Sequence, residues 1–236
     1  MRCVALLSGG LDSFVAAALA REEHELVLSL TCDYGQRAAA RELGAAAAQA
    51  EWLGCPHQTL QLPWLGVLGG SALTDPAREL PELAAEDLDS EETSEASARA
   101  VWVPNRNGVL VNVAAAYAES QGAEAVLCGF NAEEAAAFPD NSPEFMQAAE
   151  TFWRHSTLTG LRLLSPTARM DKAEIVRQAQ TLGVPLELVW SCYRGASGHC
   201  WTCESCHRLR RALEQAGAWL DYCRAARISL DPNLGI

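Results

Sequence analysis

Residues 4–13 read Val-Ala-Leu-Leu-Ser-Gly-Gly-Leu-Asp-Ser. The four apolar residues suit a buried strand, the two glycines break it, and the alanine-rich run that follows has helical composition. A strand that turns through Gly9-Gly10 directly into a helix has what an anion cradle needs. Glycine lets the backbone approach closely, turn amides point at the anion, and the helix N-terminus adds partial positive charge. The hydroxyls of Ser8 and Ser13 can add donors. The bland reading is a Gly-Gly turn that merely closes a strand onto a helix. The loop has no Gly-Lys-Ser/Thr ending and no three spaced glycines, so kinase-like γ-phosphate transfer and hydride transfer are not indicated.

Outward from this loop, residues 2–7 read as strand, 12–21 as helix, 25–31 as strand, 38–53 as a long helix and 57–62 as another extended piece. That βαβαβ order predicts an α/β, Rossmann-like fold with a parallel sheet and helices on both faces. Between residues 63 and 102 the periodicity fails. Prolines, serines and acids take over, a composition expected to leave a mobile loop. Order resumes with a helix over 109–121 and an all-apolar strand over 125–128 ending at Gly129. A further helix over 172–182 stops at Gly183, with Pro185 close behind. Ligands of open α/β sheets sit beyond the carboxyl ends of strands, so residues just after Leu7, Thr31 and Cys128 should converge on one site.

Bulk properties narrow the function classes. At 236 residues, one main domain with an appendage is expected. No apolar stretch approaches the roughly 18 residues of a membrane span, and the first apolar run is too brief for a secretory signal. The expectation is a soluble, cytoplasmic protein. A formal charge of −12 argues against broad nucleic-acid binding, which needs clustered Lys and Arg. Nine acids between Asp75 and Arg99, including Glu86, Asp87 and Asp89, face two arginines and so carry −7 of that charge. A docking segment for a basic partner is the lesser reading of that stretch.

The chain has nine cysteines, an odd count that argues against a full set of disulfides. Cys3, Cys32, Cys55 and Cys128 fall in or beside apolar runs and read as packing groups. Cys223 stays unassigned. Cys192, Cys200, Cys203 and Cys206 crowd into fifteen residues, a set of four soft ligands able to close a tetrahedron around a structural Zn²⁺. A thiolate-bound iron-sulfur cluster is the rival, since close Cys-x2-Cys-x2-Cys spacing also serves such clusters. His199 and His207 flank the ligands and read as exposed.

The string Ser8-Gly9-Gly10-Leu11-Asp12-Ser13 resembles the pyrophosphate loop of the N-type ATP pyrophosphatases. Four further segments are similar to one branch of them, the 7-cyano-7-deazaguanine synthases of queuosine-precursor biosynthesis. These are Cys32-Asp33-Tyr34-Gly35-Gln36-Arg37, Val103-Pro104-Asn105-Arg106-Asn107, Phe138-Pro139-Asp140 with Pro143-Glu144-Phe145, and Ser191-Cys192-Tyr193 with the three later cysteines. The chain departs from that pattern at Ala38, where the family usually has His, at Asn105 in place of Gly, and over residues 134–142, which lack several hydroxyls, a thiol and a guanidinium.

The resemblance implies a pyrophosphatase-type domain over 1–185, including the acidic loop 63–102, and a four-cysteine zinc segment over 186–236. It implies that Ser8, Gly9, Gly10, Leu11, Asp12 and Ser13, with Asp33, Tyr34 and Gln36, bind ATP with Mg²⁺. Arg106, Asn107, Phe138, Asp140, Glu144 and Phe145 would face a 7-carboxy-7-deazaguanine substrate. Lys172 would meet the leaving pyrophosphate and Arg106 the acyl carboxylate, although Lys172 also fits a solvated first-turn position. The implied reaction is activation of the acid as an adenylate, amidation by ammonia, and dehydration to the nitrile with a second ATP. Related synthases suggest a homodimer. Three other readings remain at this point: coupling of the adenylate to a different amine, such as a protein amine; tRNA thiolation through a cluster on the four cysteines; and a non-catalytic zinc ribbon.

Overall fold

In the computed structural model of the chain, residues 1–82, 88 and 90–228 are described, residues 91, 92 and 94 by their backbone alone. Five strands, β1 (Arg2–Leu6), β2 (Glu25–Asp33), β3 (His57–Gln61), β4 (Ala125–Leu127) and β5 (Arg162–Leu164), form one sheet in the order β3-β2-β1-β4-β5. Every pair is parallel, with Val4 beside Leu28 on one side and Val126 on the other. Parallel pairing requires crossovers, and helices supply them. Helix α1 (Leu11–Arg21) joins β1 to β2, and α2 (Ala39–Leu53) joins β2 to β3. The path to β4 runs through α3 (Pro63–Gly66), α4 (Glu91–Val101) and α5 (Arg106–Ser120). Helices α6 (Ala132–Ala137) and α7 (Pro143–Ser156) then lead to β5. Beyond β5 come α8 (Lys172–Leu182), α9 (Glu204–Gln215) and α10 (Trp219–Ala225).

Strand side chains alternate between two apolar layers, as the pleat dictates. Ala5, Leu7 and Leu127 pack with α1, α2, α8, α9 and α10, whereas Val4, Val126 and Cys128 pack with α5 and α7. Helices therefore cover both faces, as the sequence predicts, and the order in which strands are added to the sheet reverses between β1 and β4. The four-cysteine segment shares the first layer: Cys192, Cys203, Cys206 and Leu209 belong to the same cluster as Phe14 and Val15 of α1. Among the described residues, no helix is long and apolar enough to cross a membrane.

The segment 63–102 needs correction. Composition points to a loop without order, yet its described residues include α3 and α4 and bury Leu65, Ala72, Leu73, Leu80 and Val101. Ser90 caps α4, its hydroxyl accepting from Thr93 N–H. Leu73, Leu80 and Val101 form a small cluster under the rim of the cleft, which a count of acids in the window conceals. Glu86, Asp87 and Asp89, and residues 229–236 of the expected C-terminal segment, lie outside the described residues. Sequence reading also passed over α7, although Ser142-Pro143-Glu144 is a regular helix start. The Ser142 hydroxyl accepts from Phe145 N–H and Pro143 occupies the first turn. Trp153 of α7 is fully buried, and its indole N–H donates to Asn112 Oδ1 at 2.9 Å.

Candidate active site

A cleft of ≈290 Å³ opens at the carboxyl ends of β1, β2 and β4, lined by residues 6–8, 30–32 and 128–130 among others. The convergence after Leu7, Thr31 and Cys128 is thus as the topology requires. At its floor the 8–13 turn is held from within. Ser8 N–H donates to Ser13 Oγ at 3.1 Å, Gly10 N–H donates to Ser8 Oγ at 3.2 Å, and the two hydroxyls are 3.0 Å apart. Gly9 has φ +80, and a Cβ there would stand 2.5 Å from the Glu42 carbonyl oxygen, so the turn packs against the first turn of α2 only as glycine. No side chain caps the N-terminus of α1. Its first amides are therefore left for an anion in the cleft.

Gly129 brings the end of β4 against that same helix start. A Cβ on Gly129 would lie 2.3 Å from Ser13 N and 2.5 Å from Asp12 C, both backbone atoms that cannot swing aside. Gly129→Ala should lower stability by about 1–3 kcal/mol, the usual cost of forcing atoms into a packed site, and should disturb the anion turn. A denaturant midpoint equal to that of the parent would contradict this.

Lys172, the first residue of α8, is the cation over this turn. Asp171 caps α8 through a reciprocal pairing with Glu174, which fixes the helix start. Lys172 Nζ donates to Asp12 Oδ2 at 2.6 Å and to Glu134 Oε1 at 2.9 Å, with its side chain only 11% exposed. Burial alone would lower its pKa, but Asp12 and Glu134 more than offset that, and the ammonium is held charged. Burial pushes the Glu134 carboxyl up. Lys172, with help from Arg106 and Asn131, outweighs burial and holds it below the usual carboxylate range. Asp12 moves the other way, because burial outweighs Lys172 there. Its second oxygen, Oδ1, is buried and has no hydrogen-bond partner among the described residues.

Arg106 stands across the cleft at the start of α5. Its Nη1 donates to the Tyr34 hydroxyl at 3.4 Å and its Nε to Asn107 Oδ1 at 3.3 Å. Asn107 Nδ2 reaches the Asp140 carbonyl at 3.5 Å. Burial pushes the Asp140 carboxyl up, with Arg106 opposing. The ring of Phe138 stacks on Trp102 at 6.2 Å and 8°, forming one wall. The 32–37 turn is fastened by Gln36, which accepts from Tyr34 N–H at 2.9 Å and donates to Glu42 Oε2 at 2.7 Å. Burial raises the Cys32 thiol to about 11 and Cys128 to about 12, so these two cleft-floor cysteines are protonated packing groups, as their apolar context suggests.

Of the residues singled out from sequence, Ser8, Gly10, Leu11, Asp12, Ser13, Tyr34, Gln36, Arg106, Asn107, Phe138, Asp140 and Lys172 line the cleft. Four others do not. Gly9 turns its carbonyl toward Gln49 and Trp190 N–H. Asp33 accepts from Gly35 N–H and shapes the turn from behind. Glu144 is exposed in the first turn of α7, and Phe145 packs edge-on against Phe130 because the helical period turns it to the core. Sequence reading did not single out Glu134 as a Lys172 partner, nor Glu42, Trp102 and Tyr193 as lining residues. Glu134 lies in the first turn of α6 and meets Lys172 across 38 positions of the chain. The departure at Asn105 has a local reason: its φ of 52 and ψ of 29 are left-handed, where asparagine is the best substitute for glycine. Asn105→Gly should leave thermal stability nearly unchanged, while Asn105→Val should cost about 1–2 kcal/mol. Equal melting temperatures for the two variants would refute that.

The four clustered cysteines meet at the edge of this site. Their sulfurs lie within 4.8 Å of one another, and all four are free thiols. Cys200 Sγ and Cys206 Sγ are 3.9 Å apart, and Cys203 N–H donates to Cys200 Sγ at 3.3 Å. His199, expected to be exposed, instead lies between the rings of Trp190 and Trp201 and accepts from Ser191 N–H at 3.1 Å. It is a positioned side chain outside the sulfur cluster. Ser191, Tyr193, Ser205 and Leu209 extend from this segment into the cleft wall.

With this geometry, similarity to known proteins becomes informative. A family profile described as queuosine biosynthesis protein QueC matches residues 2–217. The chain is 52% identical over 217 residues to a 7-cyano-7-deazaguanine synthase of Desulforudis audaxviator (strain MP104C), covering 92% of this chain and 98% of that one. It is 49% identical over 221 residues to the synthase of the same name from Pelotomaculum thermopropionicum (strain DSM 13744 / JCM 10971 / SI), covering 94% and 100%. Among solved structures, the U34-tRNA thiolase NcsA from Methanococcus maripaludis with its [4Fe-4S] cluster overlays with a TM-score of 0.49 at 14% identity, over 97% of this chain and 72% of that one.

Proposed function

Because the chain belongs to the QueC family of queuosine biosynthesis proteins, we propose that it converts 7-carboxy-7-deazaguanine, ammonia and ATP into 7-cyano-7-deazaguanine. The observation that carries this reading is one cleft that holds an uncapped helix N-terminus with a largely buried ammonium beside it, and also a half-buried guanidinium and an aromatic wall. Triphosphate belongs at the first of these and a planar acid at the second.

In that arrangement the turn amides and Lys172 stabilise charge on the leaving pyrophosphate, a preorganised contribution that needs no rearrangement during the reaction. Arg106 holds the acyl carboxylate so that its oxygen faces the α-phosphorus. Attack expels pyrophosphate and leaves an acyl adenylate. Ammonia then attacks the acyl carbon, AMP departs, and the amide forms with loss of a proton. The amide oxygen then attacks the α-phosphorus of a second ATP and again expels pyrophosphate. Elimination of AMP, with loss of the nitrogen protons, leaves the nitrile. Phe138 and Trp102 offer the planar base an apolar face, and Asp140 offers an acceptor to its N–H groups. Glu144 and Phe145 have no part in this account, since neither reaches the cleft.

Two metals fit the residues present. The unpartnered Asp12 Oδ1 beside the anion turn suits Mg²⁺, which is held by one or two carboxylates plus phosphate oxygens and would neutralise phosphate charge when bound. The cysteine set suits Zn²⁺: bonds of about 2.3 Å give sulfur–sulfur edges of about 3.8 Å. A cubane iron-sulfur cluster needs its cysteine sulfurs on the order of 6 Å apart, wider than the 4.8 Å limit found here. Four thiolates leave a zinc no open position, so its contribution is to hold α9 against the sheet.

The test is incubation of the purified chain with ATP, Mg²⁺, ammonium and 7-carboxy-7-deazaguanine, followed by mass analysis. Nitrile with AMP and pyrophosphate is the expected result. AMP release that stops at the amide, or product carrying a different amine, would overturn the assignment.

A further inference from the structure

The proposed reaction has three substrates, and two of them fill the cleft described above. Ammonia must reach the acyl carbon after the adenylate has formed, when nucleotide and deazapurine already occupy the opening. A route that does not pass the bound substrates would resolve this. The structure contains a second, smaller cavity of ≈50 Å³ immediately behind the cleft. Lys172, Glu134, Tyr193, Ser205 and Phe138 line both spaces, so the two are divided by one layer of side chains.

The rest of the lining comes from three helices: Ala98 of α4, Glu133 and Ala137 of α6, and Glu204 and Arg208 of α9. The polar members are locked to one another. Arg208 Nη2 pairs with Glu204 at 2.8 Å and its Nη1 with Glu133 at 3.6 Å, while Glu204 also accepts from Ser97 Oγ. Glu133 Oε1 accepts from the Lys172 backbone N–H at 2.8 Å, which ties this frame to the catalytic end of the cleft. A frame so fastened keeps the space open where a loose one would collapse. Glu133 also pairs with Arg211 at 3.3 Å, so the three carboxylates of the lining are matched by Lys172, Arg208 and Arg211. A polar, charge-balanced lining suits a small polar molecule and offers phosphate or carboxylate no net attraction. The space is wide enough for a molecule the size of water, hence of ammonia, and too narrow for any of the other substrates.

We propose that this cavity between α4, α6 and α9 is the entry and holding site for the nitrogen substrate, taken up as the ammonia in equilibrium with ammonium in solution and delivered past Glu134 and Tyr193 to the adenylate. The inference rests on the synthase reading. It assigns the small substrate its own path, along a wall to which α4 contributes Ala98.

The experiment fills the cavity from two sides without touching the cleft. Ala137 is exposed, so Ala137→Phe should fold normally and cover the space from α6. Ala98→Leu fills it from α4, where Ala98 is 8% exposed. Both variants are assayed twice: by pyrophosphate–ATP exchange dependent on 7-carboxy-7-deazaguanine, which needs no ammonia, and by amide plus nitrile formation against ammonium concentration. Exchange should stay at the parent level while KM for ammonium rises on the order of tenfold. An unchanged KM for ammonium in a variant with normal exchange would overturn the proposal. Parallel loss of exchange and product formation in both variants would also overturn it, because the wall would then serve the cleft as a whole. Absence of exchange in the parent protein would instead sink the synthase reading itself, so the two failures are distinguishable.

Discussion

Lys172→Met should lower acid-dependent pyrophosphate–ATP exchange by about a thousandfold, with kcat and kcat/KM falling together. In the proposed reaction the side chain would contribute where charge develops, on the leaving pyrophosphate, and two carboxylates at 2.6 and 2.9 Å fix its position beside the 8–13 turn. Methionine keeps most of the volume and removes the charge. Asp12 and Glu134 would then face each other without a cation, a loss that costs on the order of 3–5 kcal/mol when a buried pair is broken from one side. A lower melting temperature should therefore accompany the kinetic loss. Glu134→Gln separates the two effects: it keeps the ammonium and its Asp12 contact, so its loss of rate should be at least tenfold smaller. Exchange within about threefold of the parent in Lys172→Met would show that the turn amides suffice and that Lys172 is structural.

Cys203→Ser should abolish metal binding and destabilise the fold. Cys203 is the residue before the first turn of α9, and Cys206 lies within that turn, so a metal on the four sulfurs pins the helix that carries Ser205 and Leu209 into the cleft. Structural zinc contributes on the order of 10 kcal/mol in small domains. The expected fall in melting temperature is about 10 °C or more, with metal content dropping from about one zinc per chain to none. Cys223→Ser is the control. That thiol is equally buried in the same apolar cluster but stands outside the sulfur set, so the variant should keep its metal. Metal retained in Cys203→Ser, or a brown parent protein absorbing near 400 nm, would refute the zinc assignment.

The contrast between these two sites reflects how each is encoded. The four cysteines are close in the chain, and their residue type admits few roles, so the set was legible before any coordinates. Their folded positions add that the four sulfurs lie within 4.8 Å of one another and so could hold one metal ion together. Lys172 was legible as a residue but not as a role. Its partners are 160 and 38 positions away, and nothing local distinguishes it from a solvated first-turn lysine.

The fold class followed from residues 4–13 and the βαβαβ order around them, because backbone preference and side-chain period act over a few residues and act alike in most contexts. The same locality let Ser142-Pro143 start a helix and Asn105 replace glycine, signals that were present in the sequence. What only the tertiary structure decided was what depends on long-range packing. Leu73, Leu80 and Val101 gather under an acidic segment that composition alone marks as unordered. Phe145 turns to the core instead of the cleft, and Glu134 reaches Lys172 from 38 positions away. Each of these is settled by the free energy of burying or pairing groups far apart in sequence. No window of residues contains that information, whereas the sheet order that brings them together supplies it.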